Sequence, residues 1–201
     1  MKINQLSFGK GVFGLNIRPD YKITRQLIFF TGIYDREGKL CTLVRELNRT
    51  FIVDKSPLEI LKDSMIKAGF NYRGAVASSK EILSMKMMVP VMVNPFLKIY
   101  LFPTKSANSS EVTWFNPNHL LRTISHNGAT LIEFSNGQTM VFPSKLGPFN
   151  TKITAAEQLK KFTLATAQQT NYYIAFPKKK KTSSITTPKS KKSKHTIHSK
   201  K

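Results

Sequence analysis

Residues 26–47 are QLIFFTGIYDREGKLCTLVREL, and this stretch predicts the centre of the fold. Its first part, 27–34, is an apolar run of the kind that forms a buried strand. A polar turn follows, in which Gly38 suits a positive φ. Because a second apolar run returns over 40–47, the stretch predicts a β-hairpin. The next apolar run, 51–53, predicts a third strand.

The run SPLE at 56–59 predicts the start of a helix. Ser56 suits the N-cap, Pro57 suits the first turn, and Glu59 completes a capping box. Gly69 predicts the end of this helix, since glycine adopts the left-handed conformation that commonly follows a last turn. Apolar residues at helical spacing predict its buried face: Leu58, Leu61, Met65 and Ala68.

Short apolar runs after this helix predict five further strands, over 72–76, 87–93, 99–102, 111–115 and 120–125. Pro90 predicts an edge or a bulge within the second of them. Residues 130–142 then predict a hairpin with Asn136-Gly137 as a two-residue type I′ turn. In that register Ser135 faces Gln138 and Ile132 faces Val141. The shared face would consist of Ile132, Phe134, Thr139 and Val141.

A second capping box, TAAE at 154–157, predicts a helix that ends near Gln168, with Leu159 and Phe162 facing inward. Strands and two helices that do not alternate strictly predict an α+β fold with a mainly antiparallel sheet, followed by a disordered basic tail. The predicted organisation is an unassigned N-terminal segment over 1–24, a single body over 25–177, and a disordered lysine-rich tail over 178–201.

The charge of the chain predicts a polyanionic partner. Thirty-two lysines and arginines against 11 acidic residues give a formal charge of +21, and residues 178–201 contain ten lysines and no acid. Such a charge is typical of proteins that bind nucleic acid, an anionic membrane or an acidic protein. The tail predicts phosphate contacts without sequence preference, through Lys178, Lys179, Lys180, Lys181, Lys191 and Lys192.

The sequence offers little for catalysis, metal binding or a membrane. Cys41 is interpreted as a buried structural thiol, and a single cysteine is consistent with a reducing compartment. His119 and His126 would point to opposite faces of a strand, so no metal site is predicted. No cofactor, small-molecule substrate or enzymatic activity is predicted either. The longest apolar run is far shorter than the ~20 residues of a membrane span, so the prediction is a cytoplasmic protein associated with the nucleoid.

Basic residues of the body are the candidate DNA contacts. One interpretation of them is a solvated sheet face, and the other is a DNA-binding set. The polar turn tip at 135–138 would add hydrogen-bond donors suited to the A·T-rich minor groove. Trp114, Phe115 and Tyr100 are expected in the core, with stacking on single-stranded bases as the alternative. The predicted DNA-binding set is Arg73, Lys80, Lys86, Lys98, Lys105, Arg122, Asn136, Gln138 and Lys145.

An apolar and aromatic segment, NYYIAFP at 171–177, directly precedes the tail. One interpretation is a last strand that packs on the body. The other is an exposed linear motif that a partner protein binds in an extended form.

The ordered runs between 72 and 150 resemble the competence transcription factors of the ComK type from Gram-positive bacteria. Each run alone is weak, and their combination over roughly 80 residues carries the resemblance. The runs are YRG at 72–74, PVMVNP at 90–95, IYLFPT at 99–104, Trp114, FSNGQTM at 134–140 and FN at 149–150.

The resemblance implies a sequence-specific activator of the genes for DNA uptake. It further implies binding as a homo-oligomer to paired A- and T-rich boxes, largely through the minor groove. In the family, a proteolytic adaptor recognises an aromatic segment near the C-terminus, and the residues here that resemble it are Tyr173, Ile174, Ala175, Phe176 and Pro177.

Two alternatives to the activator remain open on the sequence. One is a non-specific nucleic-acid binder, associated with RNA or the ribosome and driven by the tail. The other is a protein-interaction module regulated through residues 173–177.

Overall fold

A computed structural model describes residues 15–169 of the chain. Within that range the chain forms ten strands, three helices of two or more turns and a one-turn 3-10 helix at Pro117–His119. The helices are α1 (Pro57–Lys67), α2 (Tyr72–Leu83) and α3 (Leu146–Gln169). The strands are β1 (Ile17–Arg18), β2 (Leu27–Tyr34), β3 (Leu40–Glu46), β4 (Thr50–Val53), β5 (Val91–Asn94), β6 (Ile99–Pro103), β7 (Thr113–Phe115), β8 (Leu120–His126), β9 (Ala129–Phe134) and β10 (Thr139–Phe142).

The strands form two sheets. Seven strands follow the order β1-β4-β3-β2-β7-β6-β5, and three follow the order β10-β9-β8. Every pairing is antiparallel except that of β1 with β4. The predicted α+β class and the predicted central hairpin, now β2 and β3, are confirmed, with three helices in place of the expected two.

The larger sheet separates two apolar clusters. Successive residues of a strand point to opposite faces, so Phe30 and Trp114 pack with α1 and α2 whereas Phe29 and Phe115 pack with the small sheet and α3. The rings of Phe102, Phe115 and Phe149 meet at 5.4–5.7 Å between centroids. Trp114, Phe115 and Tyr100 are fully buried, so they are core residues and the base-stacking alternative is wrong. Cys41 is buried as predicted.

Helix α1 begins and ends as its sequence predicts. Ser56 accepts a hydrogen bond from the Glu59 amide, and the Glu59 carboxylate accepts one from the Ser56 amide at 2.8 Å. Gly69 follows the helix with φ +83°. The capping box is a local interaction, which is why a short run of sequence was sufficient to locate the helix start.

The predicted strand over 72–76 is wrong, because this segment begins helix α2. The Asn71 side chain caps the helix by accepting a hydrogen bond from the Gly74 amide at 2.7 Å. Tyr72, Ala75 and Val76 then contact the core at the spacing of a helix face. The next strand starts later than expected, at Val91, directly after Pro90.

The predicted register of the β9–β10 hairpin is wrong by one residue. Ile132 pairs with Met140 instead of Val141, so Met140 and Phe142 face the core whereas Thr139 and Val141 face outward. The turn has three residues and ends with Gly137 at φ +79°, which is the geometry of a type I turn followed by a bulge.

A two-residue turn occurs instead between β8 and β9. There Asn127 and Gly128 have φ values of +48° and +79°, as a type I′ turn requires.

Helix α3 begins at Leu146, eight residues before the predicted capping box. Pro148 lies in its first turn, where a missing amide hydrogen costs nothing, and Thr154 is an exposed residue inside the helix. Leu159 faces inward as predicted. The inward position predicted for Phe162 is wrong, since its side chain is 52% exposed.

Candidate nucleic-acid interface

Polar side chains from several elements meet at one end of the larger sheet. This is the end at which β2 and β6 begin and β3, β5 and β7 finish. The hairpin turn between β9 and β10 and one residue of α3 join them there. We call this set the polar rim; its members are Arg25, Arg45, Lys98, Asn118, His119, Ser135, Asn136, Gln138 and Lys160.

Arg25 and Lys98 lie side by side on the rim. The Arg25 Nε donates to the carbonyl oxygen of Leu97 at 3.2 Å. Asn118 donates to the Lys98 carbonyl at 3.3 Å and accepts from the Lys160 Nζ at 2.7 Å. Asn118 therefore connects the turn that carries Lys98 to Lys160, and Arg25 is bonded to the same turn one residue earlier, at Leu97.

His119 connects this group to the hairpin turn. Its Nε2 donates to the Arg25 carbonyl oxygen at 2.6 Å, because a carbonyl oxygen only accepts. Its Nδ1 lies 3.0 Å from the Ser135 hydroxyl, and the Ser135 amide donates to the His119 carbonyl. The turn is thereby fixed beside Arg25.

Within the turn, Asn136 and Gln138 have different roles. The Asn136 Nδ2 donates to the Leu47 carbonyl at 2.8 Å and to the Gln138 Oε1 at 3.3 Å, so its amide anchors the turn to the end of β3. The Gln138 Oε1 also accepts from an Arg45 Nη2, which leaves the exposed Gln138 Nε2 as a donor. Burial lowers the pKa of Arg45, which as an arginine stays charged at neutral pH.

The rim is cationic. Its members include four cations and no carboxylate, and within residues 15–169 the one ion pair of a rim cation joins the Lys160 Nζ to the Glu157 Oε2 at 3.6 Å. Neither Arg25 nor Lys98 forms an ion pair with any of residues 15–169. Two full charges are therefore available to an anionic partner at a surface that also presents hydrogen-bond donors.

Comparison with known proteins identifies the family. The family model described as ComK protein matches residues 18–171, a range that contains the whole polar rim. The chain belongs to the ComK family. The competence transcription factor of Bacillus subtilis (strain 168) is 30% identical over 118 residues, which is 58% of this chain and 62% of that relative, so the match spans less than two thirds of the relative's length. No solved structure matches the chain.

The structure brings together three of the nine DNA-binding residues predicted from sequence. Lys98, Asn136 and Gln138 lie on the rim. Lys105 instead forms an ion pair with Glu111, and Arg122 lies opposite Glu133 on the outer face of the small sheet. The other four predicted residues make none of the contacts that define the rim. Arg73 and Lys80 lie on α2, Lys86 lies in the loop after α2, and Lys145 directly precedes α3.

Some predicted sites cannot be placed, because the tail lysines and the segment 173–177 lie outside the described residues. No helix within residues 15–169 is both long and apolar enough to span a bilayer. The same range contains no group of three or more His, Cys, Asp and Glu side chains arranged to hold a metal ion.

A buried carboxylate positions the segment that carries Arg25. Glu46 accepts hydrogen bonds from the Tyr21 hydroxyl at 2.9 Å, from the Thr24 hydroxyl at 3.0 Å, and from Arg49. Burial opposes ionisation of this carboxyl, but the bonds from Arg49, Tyr21 and Thr24 outweigh it and hold the pKa of Glu46 below its usual value. Residues 21–24 are thus fixed against β3, and Arg25 follows directly.

We expect Glu46→Gln to lower the free energy of unfolding at pH 7 by about 2 kcal/mol, because buried partners lose a charged acceptor. Since the folded pKa of Glu46 is lowered, its contribution is present above the unfolded value of about 4.5 and is lost as the pH falls through the folded value. Urea unfolding, monitored through the fluorescence of Trp114, the single tryptophan, measures the loss of unfolding free energy at pH 7 and its dependence on pH. A difference between wild type and variant that is as large at about pH 3.5 as at pH 7 would contradict this account.

Proposed function

We propose that this chain is a sequence-specific DNA-binding activator of competence genes, acting in the cytoplasm on paired A- and T-rich boxes. The polar rim, a cationic surface without carboxylates at the end of the sheet, is the observation that carries the proposal. Membership of the ComK family supports it, as does the similarity to the competence transcription factor of Bacillus subtilis.

The donors of the rim suit the minor groove. A·T pairs present only acceptors there, the adenine N3 and the thymine O2. The exposed Gln138 Nε2 and the Arg25 guanidinium are donors, and arginine is favoured in the narrow, electronegative minor groove of A-tracts. We assign base-edge contacts to Arg25 and Gln138, phosphate contacts to Lys98 and Lys160, and an anchoring role to Asn136.

The backbone of Lys98 supports a functional role for this residue. It adopts φ +54° in the turn between β5 and β6, a left-handed conformation that disfavours a residue with a side chain by roughly 1–2 kcal/mol. Glycine or asparagine adopts this conformation more readily. A lysine at such a position is explained if its charge is needed there.

The parts of the chain beyond the rim complete the proposal. Paired boxes suit a homo-oligomer in which each copy contacts one box. The lysine-rich tail adds non-specific affinity for phosphates. Residues 173–177 offer a motif to a proteolytic adaptor.

The second candidate is a non-specific nucleic-acid binder associated with RNA or the ribosome. It is favoured by the net charge of +21 and the ten lysines of the tail. In that case binding follows charge alone and depends on the tail.

Fluorescence anisotropy with three duplexes at physiological salt separates the candidates. The first duplex carries paired A- and T-rich boxes, and the second is the same composition scrambled. The third replaces the A·T pairs of the boxes by inosine–cytosine pairs, which keep the minor-groove acceptors and change the major groove. Wild type is compared with a full-length variant in which Lys178, Lys179, Lys180, Lys181, Lys191 and Lys192 are all replaced by glutamine.

We expect both proteins to prefer the paired boxes and to retain that preference with inosine. The tail variant should bind more weakly overall, with a salt slope reduced by up to about 5, since each phosphate contact contributes about 0.9. Equal affinity for paired and scrambled duplexes, together with loss of binding in the tail variant, would favour the non-specific binder. If the proteins prefer the paired boxes made of A·T pairs but not the boxes made of inosine–cytosine pairs, the base contacts lie in the major groove.

A further inference from the structure

A groove lies between α1 and α2, and none of the residues that line it belongs to the polar rim. It encloses a volume of about 430 Å³, within the range of pockets that bind ligands or peptide side chains. Its apolar lining comes from Leu58 and Ile66 of α1 and from Tyr72 and Val76 of α2. Two cations, Lys62 and Arg73, line it as well.

An exposed apolar strip continues the groove along α1. Ile66 is 65% exposed, and Phe70, four residues later, is 36% exposed. The Phe70 ring lies 6.1 Å from that of Phe96, which is 78% exposed. Three large apolar side chains thus follow one another from the groove to the turn between β5 and β6. Exposed apolar patches rimmed by polar residues mark interaction sites, and this strip extends well beyond the groove itself, as contact with a macromolecule requires.

The charge of the groove favours an anionic partner. No carboxylate lines it, and neither Lys62 nor Arg73 forms an ion pair with any of residues 15–169. The acids of α1 are engaged elsewhere: Glu59 in the capping box with Ser56, and Asp63 with Lys55 at 2.7 Å. An occupant that brings carboxylates to Lys62 and Arg73 would therefore meet no competing acid.

We propose that this groove and strip form a docking site for an acidic peptide segment of a partner protein, one that presents apolar side chains beside its carboxylates. Apolar anchors would occupy the groove and contact Ile66 and Phe70, and carboxylates would pair with Lys62 and Arg73. DNA suits this surface less well, because a phosphate backbone gains little from exposed phenylalanines. The strip ends at Phe96, in the turn that also carries Lys98, so the docking site adjoins the polar rim without sharing its residues.

The test uses the full-length chain and two labelled twelve-residue peptides of aspartate, leucine and phenylalanine. One has its apolar residues at helical spacing and the other has them in alternation, so both recognition modes are covered. Two control peptides replace either the aspartates or the apolar residues by serine. The variants are Lys62→Glu with Arg73→Glu, Ile66→Ser alone, and a matched control of equal charge change outside the groove, Lys80→Glu with Lys86→Glu.

We expect saturable binding of at least one acidic peptide and none of the control peptides. The groove charge reversal and Ile66→Ser should each weaken binding at least about tenfold, whereas the matched control should change it less than about threefold, an effect of net charge alone. All substituted residues are exposed, so each variant should fold, and thermal unfolding is the control that checks this.

Three results would overturn the proposal: no saturable peptide binding, equal loss in the groove and control variants, or undiminished binding in the groove variants. A groove charge reversal that weakens binding to the paired-box duplex as much as peptide binding would assign the surface to DNA instead.

Discussion

Replacing Gly32 by alanine is expected to lower the free energy of unfolding by about 3 kcal/mol, at the upper end of the cost of overpacking. A Cβ atom at this position would lie 2.0 Å from the carbonyl oxygen of Ser110. Because the obstacle is backbone, no side-chain rotation relieves the clash. Either β2 or the segment 109–112 has to move.

The consequences of that movement reach both apolar clusters. The Gly32 amide donates to the Val112 carbonyl at 3.4 Å, and the hydroxyls of Thr31 and Thr113 meet at 2.9 Å. Strand β7 begins there and carries Trp114 into one cluster and Phe115 into the other. Displacing the start of β7 therefore loosens packing on the two faces of the larger sheet.

The control is Gly147→Ala. Gly147 lies in the first turn of α3 with open space around it and no positive φ, so alanine there should be neutral or stabilise by up to about 1 kcal/mol. Urea unfolding monitored through Trp114 fluorescence compares the two. A Gly32→Ala protein as stable as wild type would show that β2 and the 109–112 segment do not approach each other as described.

The second large effect concerns DNA binding. We expect Arg25→Ala combined with Lys98→Ala to weaken binding to the paired-box duplex by about 2–4 kcal/mol, and binding to the scrambled duplex by much less. A side chain that contacts a base contributes about 1–3 kcal/mol at its true site, whereas a phosphate contact weakens binding to all sequences alike. Arg25 is assigned to bases and Lys98 to phosphates, so the preference between duplexes should fall mainly through Arg25.

The matched control is Lys80→Ala combined with Lys86→Ala, which removes the same charge from exposed positions outside the rim contacts. Its affinity should decrease equally for both duplexes, in proportion to the lost charge. Thermal unfolding of the rim variant should match that of wild type, because Arg25 and Lys98 are exposed and contribute no core contacts.

The elements predicted correctly are those with local causes. The hairpin of β2 and β3 follows from apolar runs around a turn, and α1 follows from a capping box within four residues. Helix α2 was missed because its buried face is small, with only Ser79 fully buried, and its cap depends on a single asparagine, Asn71.

The β9–β10 turn shows why local sequence was insufficient. The chain contains Asn-Gly at 127–128 and at 136–137, and only the first forms a two-residue turn. At the second, hydrogen bonds from Asn136 to Leu47 and from Arg45 to Gln138 connect the turn to β3, some 90 residues earlier in the chain. Such contacts depend on the strand order, which a hydrophobic pattern does not reveal.

The polar rim could be predicted only in part, for the same reason. Charge and turn position were enough to propose Lys98, Asn136 and Gln138. The remaining rim residues come from separate elements that meet only because β2, β6 and β7 are neighbours in the sheet. Most of them lie at or beside a predicted strand end, but Lys160 lies within a helix, so no single sequence signal marks the whole set. The members that were not proposed from the sequence are Arg25, Arg45, Asn118, His119 and Lys160, whereas Ser135 belongs to the predicted turn tip.

The most direct test of the central claim is the ratio of the dissociation constants for the scrambled and paired-box duplexes. It is measured by anisotropy at one salt concentration for wild type, the rim variant and the control variant, all full-length. We expect a ratio well above 1 for wild type and the control variant, and a ratio at least about fivefold lower for the rim variant, which lacks one of the two proposed base contacts. A rim variant that keeps the wild-type ratio would show that another surface of the chain determines sequence preference.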